Sequence, residues 1–203
     1  MASGKTSLAR ALRALIDPST APVRRLPERD TDLDQLAKNN WILAFDPVCR
    51  IPSRISEALC ALSSGEGVDL TQPDYRDPLA FEIVRPILLV TPSDERRGAW
   101  ARSHALSNRT LAVSLPQLTA PSRESDLWSA FEALRPAALG ALATAVSAAL
   151  HNIREVDVGN IKRLPDCAAW AAAAAPALGL EQEAIIEAIS SSRFAGALAP
   201  SHG

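Results

Sequence analysis

SGKTSLARALRALIDP, residues 3–18, is the stretch whose reading decides the fold. Ser3-Gly4-Lys5-Thr6-Ser7 is the second half of the phosphate-binding pattern GxxxxGK(S/T), whose opening glycine would fall before the first residue. Leu8, Ala11, Leu12, Leu15 and Ile16 then recur at helical spacing, and Asp17-Pro18 stops the pattern because a residue before proline disfavours the α region. The spacing predicts a helix over 5–16 with Gly-Lys-Thr at its start. There the free backbone N–H groups and the positive end of the helix dipole would face an anion. In such a loop Lys5 reaches the β and γ phosphates of a nucleotide, and the Thr6 hydroxyl ligates magnesium. The plain alternative is that both are polar residues of an ordinary helix start.

Working outward, a short strand is predicted near Val23–Leu26 and a helix over Asp30–Asn39, closed by two asparagines that tolerate a left-handed stop. Trp41-Ile42-Leu43-Ala44-Phe45-Asp46 is an apolar run with an acid at its end, the signature of a buried parallel strand. A third helix follows through Ile51, Ile55, Leu59 and Leu62, then a loop or irregular hairpin over Val68–Glu82. Ile87-Leu88-Leu89-Val90-Thr91 and Thr110–Leu115 are two more strand candidates. Beyond Pro121 the composition turns to alanine-rich helix, kinked or divided at Pro136, with further helices at about 165–175 and 181–192.

Strands alternating with helices up to residue 116 predict an α/β fold, and the all-helical remainder predicts a separate bundle. The expected domains are therefore 1–118, the α/β core, and 119–203, a helical subdomain. Trp128, Phe131 and Trp170 fall on apolar helical faces and are expected in a core.

The chain has 203 residues, enough for one α/β domain with a helical appendage. Hydrophobic residues make up 47% and charged residues 22%, a globular composition that argues against large-scale disorder. A net charge of −2 argues against a globally basic nucleic-acid binder, but leaves local patches such as Arg24, Arg25 and Arg29, or Arg96, Arg97 and Arg102. Cys49, Cys60 and Cys167 are far apart, with no CxxC pair or histidine ladder, and are expected as buried small hydrophobes in a reducing compartment. His104, His151 and His202 share no metal spacing. No apolar run or signal-peptide core suggests a membrane, so a cytoplasmic location is expected.

Asp46 supplies the second element a phosphate loop needs, a carboxylate at a strand end that could hold magnesium through water. Its plain alternative is a solvent-capped strand end. Pro47 follows, where many ATPases place a glutamate that polarises the attacking water. Either another group orients that water, or hydrolysis is slow, or nucleotide is only bound. Thr91, at the end of the second apolar strand, could touch a γ-phosphate or merely end a strand. Arg109 could act as an arginine finger, within its own subunit or a neighbour's.

Taken together, SGKTSLARALRALIDPSTAPVRRLP, NNWILAFDPVCRIPSRISEALCALSSGEG, RPILLV, NRTLAVSLPQL and DLWSAFEALRPAALGALATAVSAAL resemble P-loop ATPases of phages and mobile elements, related to AAA+ and superfamily-three helicases. The resemblance covers most of the chain. It implies a three-layer P-loop NTPase-like parallel sheet followed by an alanine-rich helical bundle. It also implies ATP binding through Ser3, Gly4, Lys5, Thr6 and Ser7, Mg2+ at Thr6 and Asp46, and catalytic roles for Thr91 and Arg109. Such domains act on DNA, usually as homo-oligomeric rings.

Relative to that pattern the chain departs at Pro47 and lacks the first, central strand. That absence would expose the edges of the strands at 87–91 and 109–115. A misassigned start, a fragment or degraded relative, closure of the flanking strands, or a partner filling the gap would each account for it. Two functions remain: an ATP-hydrolysing, helicase-like replication module, or a non-hydrolysing relative serving as a binding or structural module.

Overall fold

The computed structural model describes residues 3–65, 68–70, 79–81, 83–92, 103–120 and 122–192. Its contacts divide the chain into two units, one built on Gly4–Thr110 and the other on Leu111–Arg193.

The first unit opens with α1 (Lys5–Ile16) and α2 (Asp30–Asn39). Next come β1 (Leu43–Phe45), α3 (Ser53–Ser64), β2 (Val68–Leu70), β3 (Leu79–Phe81), β4 (Ile87–Leu89) and α4 (His104–Asn108). β1 pairs with β4 in parallel, with Leu43 opposite Ile87 and Phe45 opposite Leu89. A single parallel bridge joins Arg24 to Phe45 on the other edge of β1. β2 and β3 form a separate antiparallel pair, the hairpin allowed for between Val68 and Glu82.

The core collects inward residues of α2, β1, α3 and α4. Leu33 and Ala37 come from α2, Leu43 and Phe45 from β1, Ile55, Leu59 and Leu62 from α3, and Leu106 from α4, joined by Val48, Ile51, Cys60 and Ile83. All three β1 residues are buried, as expected of a parallel strand covered on both faces. α3 ends at Gly65, whose φ of 77° supplies the left-handed stop, and its N–H donates to the Ala61 carbonyl.

The second unit is all helix among its described residues. α5 (Glu124–Asn152) is followed by α6 (Pro165–Ala174), a 3-10 turn (Ala175–Leu178) and α7 (Gln182–Ser191). Ala145 and Ala149 of α5 are buried, as are Ala168, Ala172, Ala173 and Ala175. Small side chains there allow close approach of the backbones. Asn152 ties the end of α5 to the Ala173 carbonyl at 3.2 Å. α5 runs unbroken through Pro136 instead of dividing there. By length and composition alone it is apolar enough to cross a membrane, and 11% of its most apolar window is buried. The sequence reading passed over this run because its apolar character comes mostly from alanine.

The expected three-layer P-loop NTPase-like sheet is not what forms. The described residues are mostly helical, and the parallel sheet has two strands with one bridge beside them. Thr110–Leu115 is not a strand. A strand persists by exchanging hydrogen bonds with a neighbour, and none among the described residues lies alongside. Instead Ala112 exchanges hydrogen bonds with the Ser192 hydroxyl, and Val113 is 75% exposed. The strand predicted near Val23–Leu26 reduces to the bridge at Arg24.

Several burial expectations also change. Trp41, read as part of the buried run, precedes β1 and is 70% exposed. Trp170 is exposed, while Trp128 and Phe131 are half-buried and meet edge to face at 5.5 Å. Of the cysteines, Cys60 is buried, but Cys49 and Cys167 are exposed.

Candidate functional site

α1 begins where the Gly-Lys-Thr reading places it. Gly4 is the N-cap, with φ 72° and ψ 10°, and its carbonyl accepts from Leu8 N at 2.8 Å. That left-handed conformation costs little only for a residue without Cβ. The N–H groups of Lys5, Thr6 and Ser7 precede the first intrahelical bond and have no helical acceptor. Ser3, Lys5 and Ser7 are half-buried and Thr6 is exposed.

What holds α1 is its other end. Arg13 is 2% exposed and donates to Asp17 and, at 2.6 Å, to Asn40 Oδ1. Asp17 in turn accepts from Trp41 N at 2.7 Å and Ile42 N at 2.9 Å. Burial pushes the Asp17 carboxyl up, but the hydrogen bonds from Ile42, Arg13 and Trp41 outweigh it and hold the pKa below the ordinary 3.8. This polar cluster moors the last turn of α1 to the entrance of β1. Sequence reasoning treated Asp17 only as a helix stop; the signal it missed was Arg13 four residues earlier on the same face.

Asp46 leaves the opposite end of β1. Its N–H donates to the Arg24 carbonyl at 2.8 Å, and its half-buried carboxylate has no hydrogen bond or ion pair among the described residues. Val90 N donates to Phe45 O at 2.9 Å and Val48 N to Val90 O at 2.8 Å, so the chains beyond β1 and β4 stay side by side. Thr91, half-buried, therefore shares the sheet edge with Asp46. Thr6 and Asp46 share no hydrogen bond. Among the described residues no group of three or more His, Cys, Asp or Glu could hold a metal ion.

Arg109 lies elsewhere than expected. It is the exposed C-cap of α4, its N–H donating to Leu106 O at 3.1 Å and its guanidinium to Ala105 O at 3.4 Å. α4 itself was not predicted; Ser103 caps its start by accepting from Leu106 N. Arg96, Arg97, Arg102 and His202 lie outside the described residues. The structure thus sets Asp46 and Thr91 at the same end of the β1–β4 pair, forms the helix start at Gly4–Ser7, and places Arg109 at a helix end.

A second arrangement was missed entirely. The β1–β4 register continues back to set Trp41 beside Arg85, whose guanidinium lies 4.6 Å from the centre of the indole. Each stands two residues before a paired strand residue, but the register that pairs them is not legible from apolar runs alone.

The sequence model of one protein family, described as actinomycete integrative conjugative element replication protein, matches residues 1–191. No curated protein and no solved structure matches the chain. The matched span takes in both units and every residue of the sites described above, and on that match the chain belongs to the family of replication proteins of actinomycete integrative conjugative elements.

Proposed function

We propose that the chain acts on DNA in the replication of an integrative conjugative element and binds ATP with Mg2+ at the start of α1. The observation that carries this reading is the left-handed Gly4 opening a helix whose first turn is Lys5-Thr6-Ser7, in a chain of a replication family. The N–H groups that precede the first intrahelical bond of α1 and the positive end of the helix favour a polyphosphate. Lys5 would contact the β and γ phosphates.

The donor set fits magnesium, which prefers oxygen ligands and keeps part of its water shell. The Thr6 hydroxyl and the Asp46 carboxylate, which has no hydrogen bond or ion pair among the described residues, would hold it. When bound, the ion would neutralise phosphate charge. Thr91, on the edge it shares with Asp46, would meet the γ-phosphate or orient water. Arg109, exposed at the end of α4, would serve a nucleotide on a neighbouring copy within a homo-oligomer. A cytoplasmic location accompanies this role.

One observation favours the second reading, a nucleotide-binding module that turns over slowly or not at all. Pro47 leaves no carboxylate directly after Asp46 to polarise water. Calorimetry with Mg-ATP separates the possibilities. The chain should bind, Lys5→Ala should abolish binding, and Asp46→Asn should remove its dependence on magnesium. Phosphate release then distinguishes hydrolysis from binding. No heat of binding from the unaltered chain would overturn the nucleotide site and leave a nucleotide-independent replication module.

A further inference from the structure

Trp41 is 70% exposed although the four residues after it, Ile42–Phe45, are buried. Two contacts nonetheless hold it, one on its backbone and one on its ring. Its N–H is held by the Asp17 carboxylate at 2.7 Å, and one face of the indole is covered by the Arg85 guanidinium. That guanidinium is fixed in turn, Nε donating to Ala37 O and Nη1 to Val84 O, both at 2.9 Å. Carbonyls orient the arginine without neutralising it, and Arg85 makes no ion pair among the described residues. The result is an exposed aromatic surface beside a positive charge that no carboxylate among the described residues offsets, at the end of the sheet away from Asp46 and Thr91.

We infer that Trp41 and Arg85 form a stacking site for an unpaired base of single-stranded DNA, with Arg85 supplying charge for the adjoining phosphate. The inference rests on the proposed action on DNA. A base offers a π-face of matching size to the indole, and every base has one, so stacking is indifferent to sequence. A duplex hides those faces and presents edges and phosphates instead. Because the Arg85 guanidinium already lies over one face of the ring, less side-chain freedom is lost on binding than for an indole with no neighbour.

The test is fluorescence anisotropy of a labelled oligo-dT titrated with the full chain, with a duplex as comparison. Trp41→Ala should weaken single-strand binding by about 5- to 150-fold. Trp41→Phe should retain most of the affinity, since a ring remains. Arg85→Ala should lower the salt slope by about one charge. Duplex binding should respond little to the change at Trp41. Matching thermal melts by circular dichroism show that each variant folds. If the unaltered chain binds oligo-dT and Trp41→Ala binds equally well, the stacking site is wrong while the action on DNA stands. If Trp41→Ala leaves DNA binding intact but abolishes self-association, the ring is a protein contact and the inference falls. If the unaltered chain binds neither DNA form, the action on DNA fails and takes this inference with it.

Discussion

Replacing Asp17 by alanine should destabilise the first unit by about 3 kcal/mol. The carboxylate accepts from Arg13 and from the N–H groups of Trp41 and Ile42. The Arg13 side chain is 3% exposed and that of Asp17 17%, so the pair is largely shielded from water. Removing one member of a buried pair costs about 3–5 kcal/mol because the other charge stays behind. Here Asn40 Oδ1 still accepts from Arg13, which draws the cost toward the lower end. Ile42 is buried, so its N–H would lose its acceptor as well, at about 1–3 kcal/mol if water cannot replace it.

Asp17→Asn keeps an acceptor oxygen while removing the charge, and should cost about half as much. The comparison is Asp32→Ala, whose pair with Arg29 is exposed and should be worth less than about 1 kcal/mol. Urea midpoints measure the three costs, and amide exchange at Trp41 and Ile42 reports the local loss directly. The pH dependence has a definite sign. The folded Asp17 carboxyl titrates below its ordinary 3.8, so its contribution is complete above that pH and disappears as pH falls through the lower folded value. If Asp17→Ala shifts stability no more than Asp32→Ala does, the mooring of α1 by this cluster is wrong.

Two further outcomes are expected. Asp34 shows the opposite sign: partial burial, reinforced by the charge of Asp30, raises its pKa, so its ionised form is slightly disfavoured in the folded chain. Asp34→Asn should therefore raise the urea midpoint slightly at neutral pH and lose that advantage in acid, below the ordinary carboxylate range. Among the thiols, a disulfide reagent added to native protein should modify exposed Cys49 first and exposed Cys167 more slowly, because burial raises the Cys167 thiol pKa. Buried Cys60 should react only on unfolding, and mass spectrometry of the labelled peptides gives the order.

Local elements were readable where one physical signal decided them. The 5–16 helix follows from apolar spacing and from Asp17-Pro18; the 30–39 helix does end at its asparagines, but Asn40 is extended, not left-handed, and its side-chain amide donates to the Leu36 carbonyl. The strands at 43–45 and 87–89 follow from short apolar runs. What failed was inference that needed partners. Thr110–Leu115 has the composition of a strand, but composition cannot supply the neighbour that accepts its hydrogen bonds. Trp41 was counted with the residues after it because an apolar run states residue type and not which side chains point outward. The site divided in the same way. Gly4 and Asp46 could be named from local pattern, whereas the Arg13–Asp17–Asn40 cluster and the Trp41–Arg85 stack join segments distant in the chain.

The pairing of β1 with β4 also sets an order of events during synthesis. Leu43 cannot find Ile87 until both intervening segments, α3 and the β2–β3 hairpin, have been made, and closing so long a loop is the slow part of assembling such a unit. In that interval Ile42–Phe45, buried in the finished protein, stands as an unpaired apolar segment open to pairing with other chains. The helices α5 to α7 face no such wait, since each packs on a neighbour close in sequence. The nascent chain is therefore most vulnerable to aggregation after β1 emerges and before β4 does, and a chaperone that shields Ile42–Phe45 over that span would govern its yield.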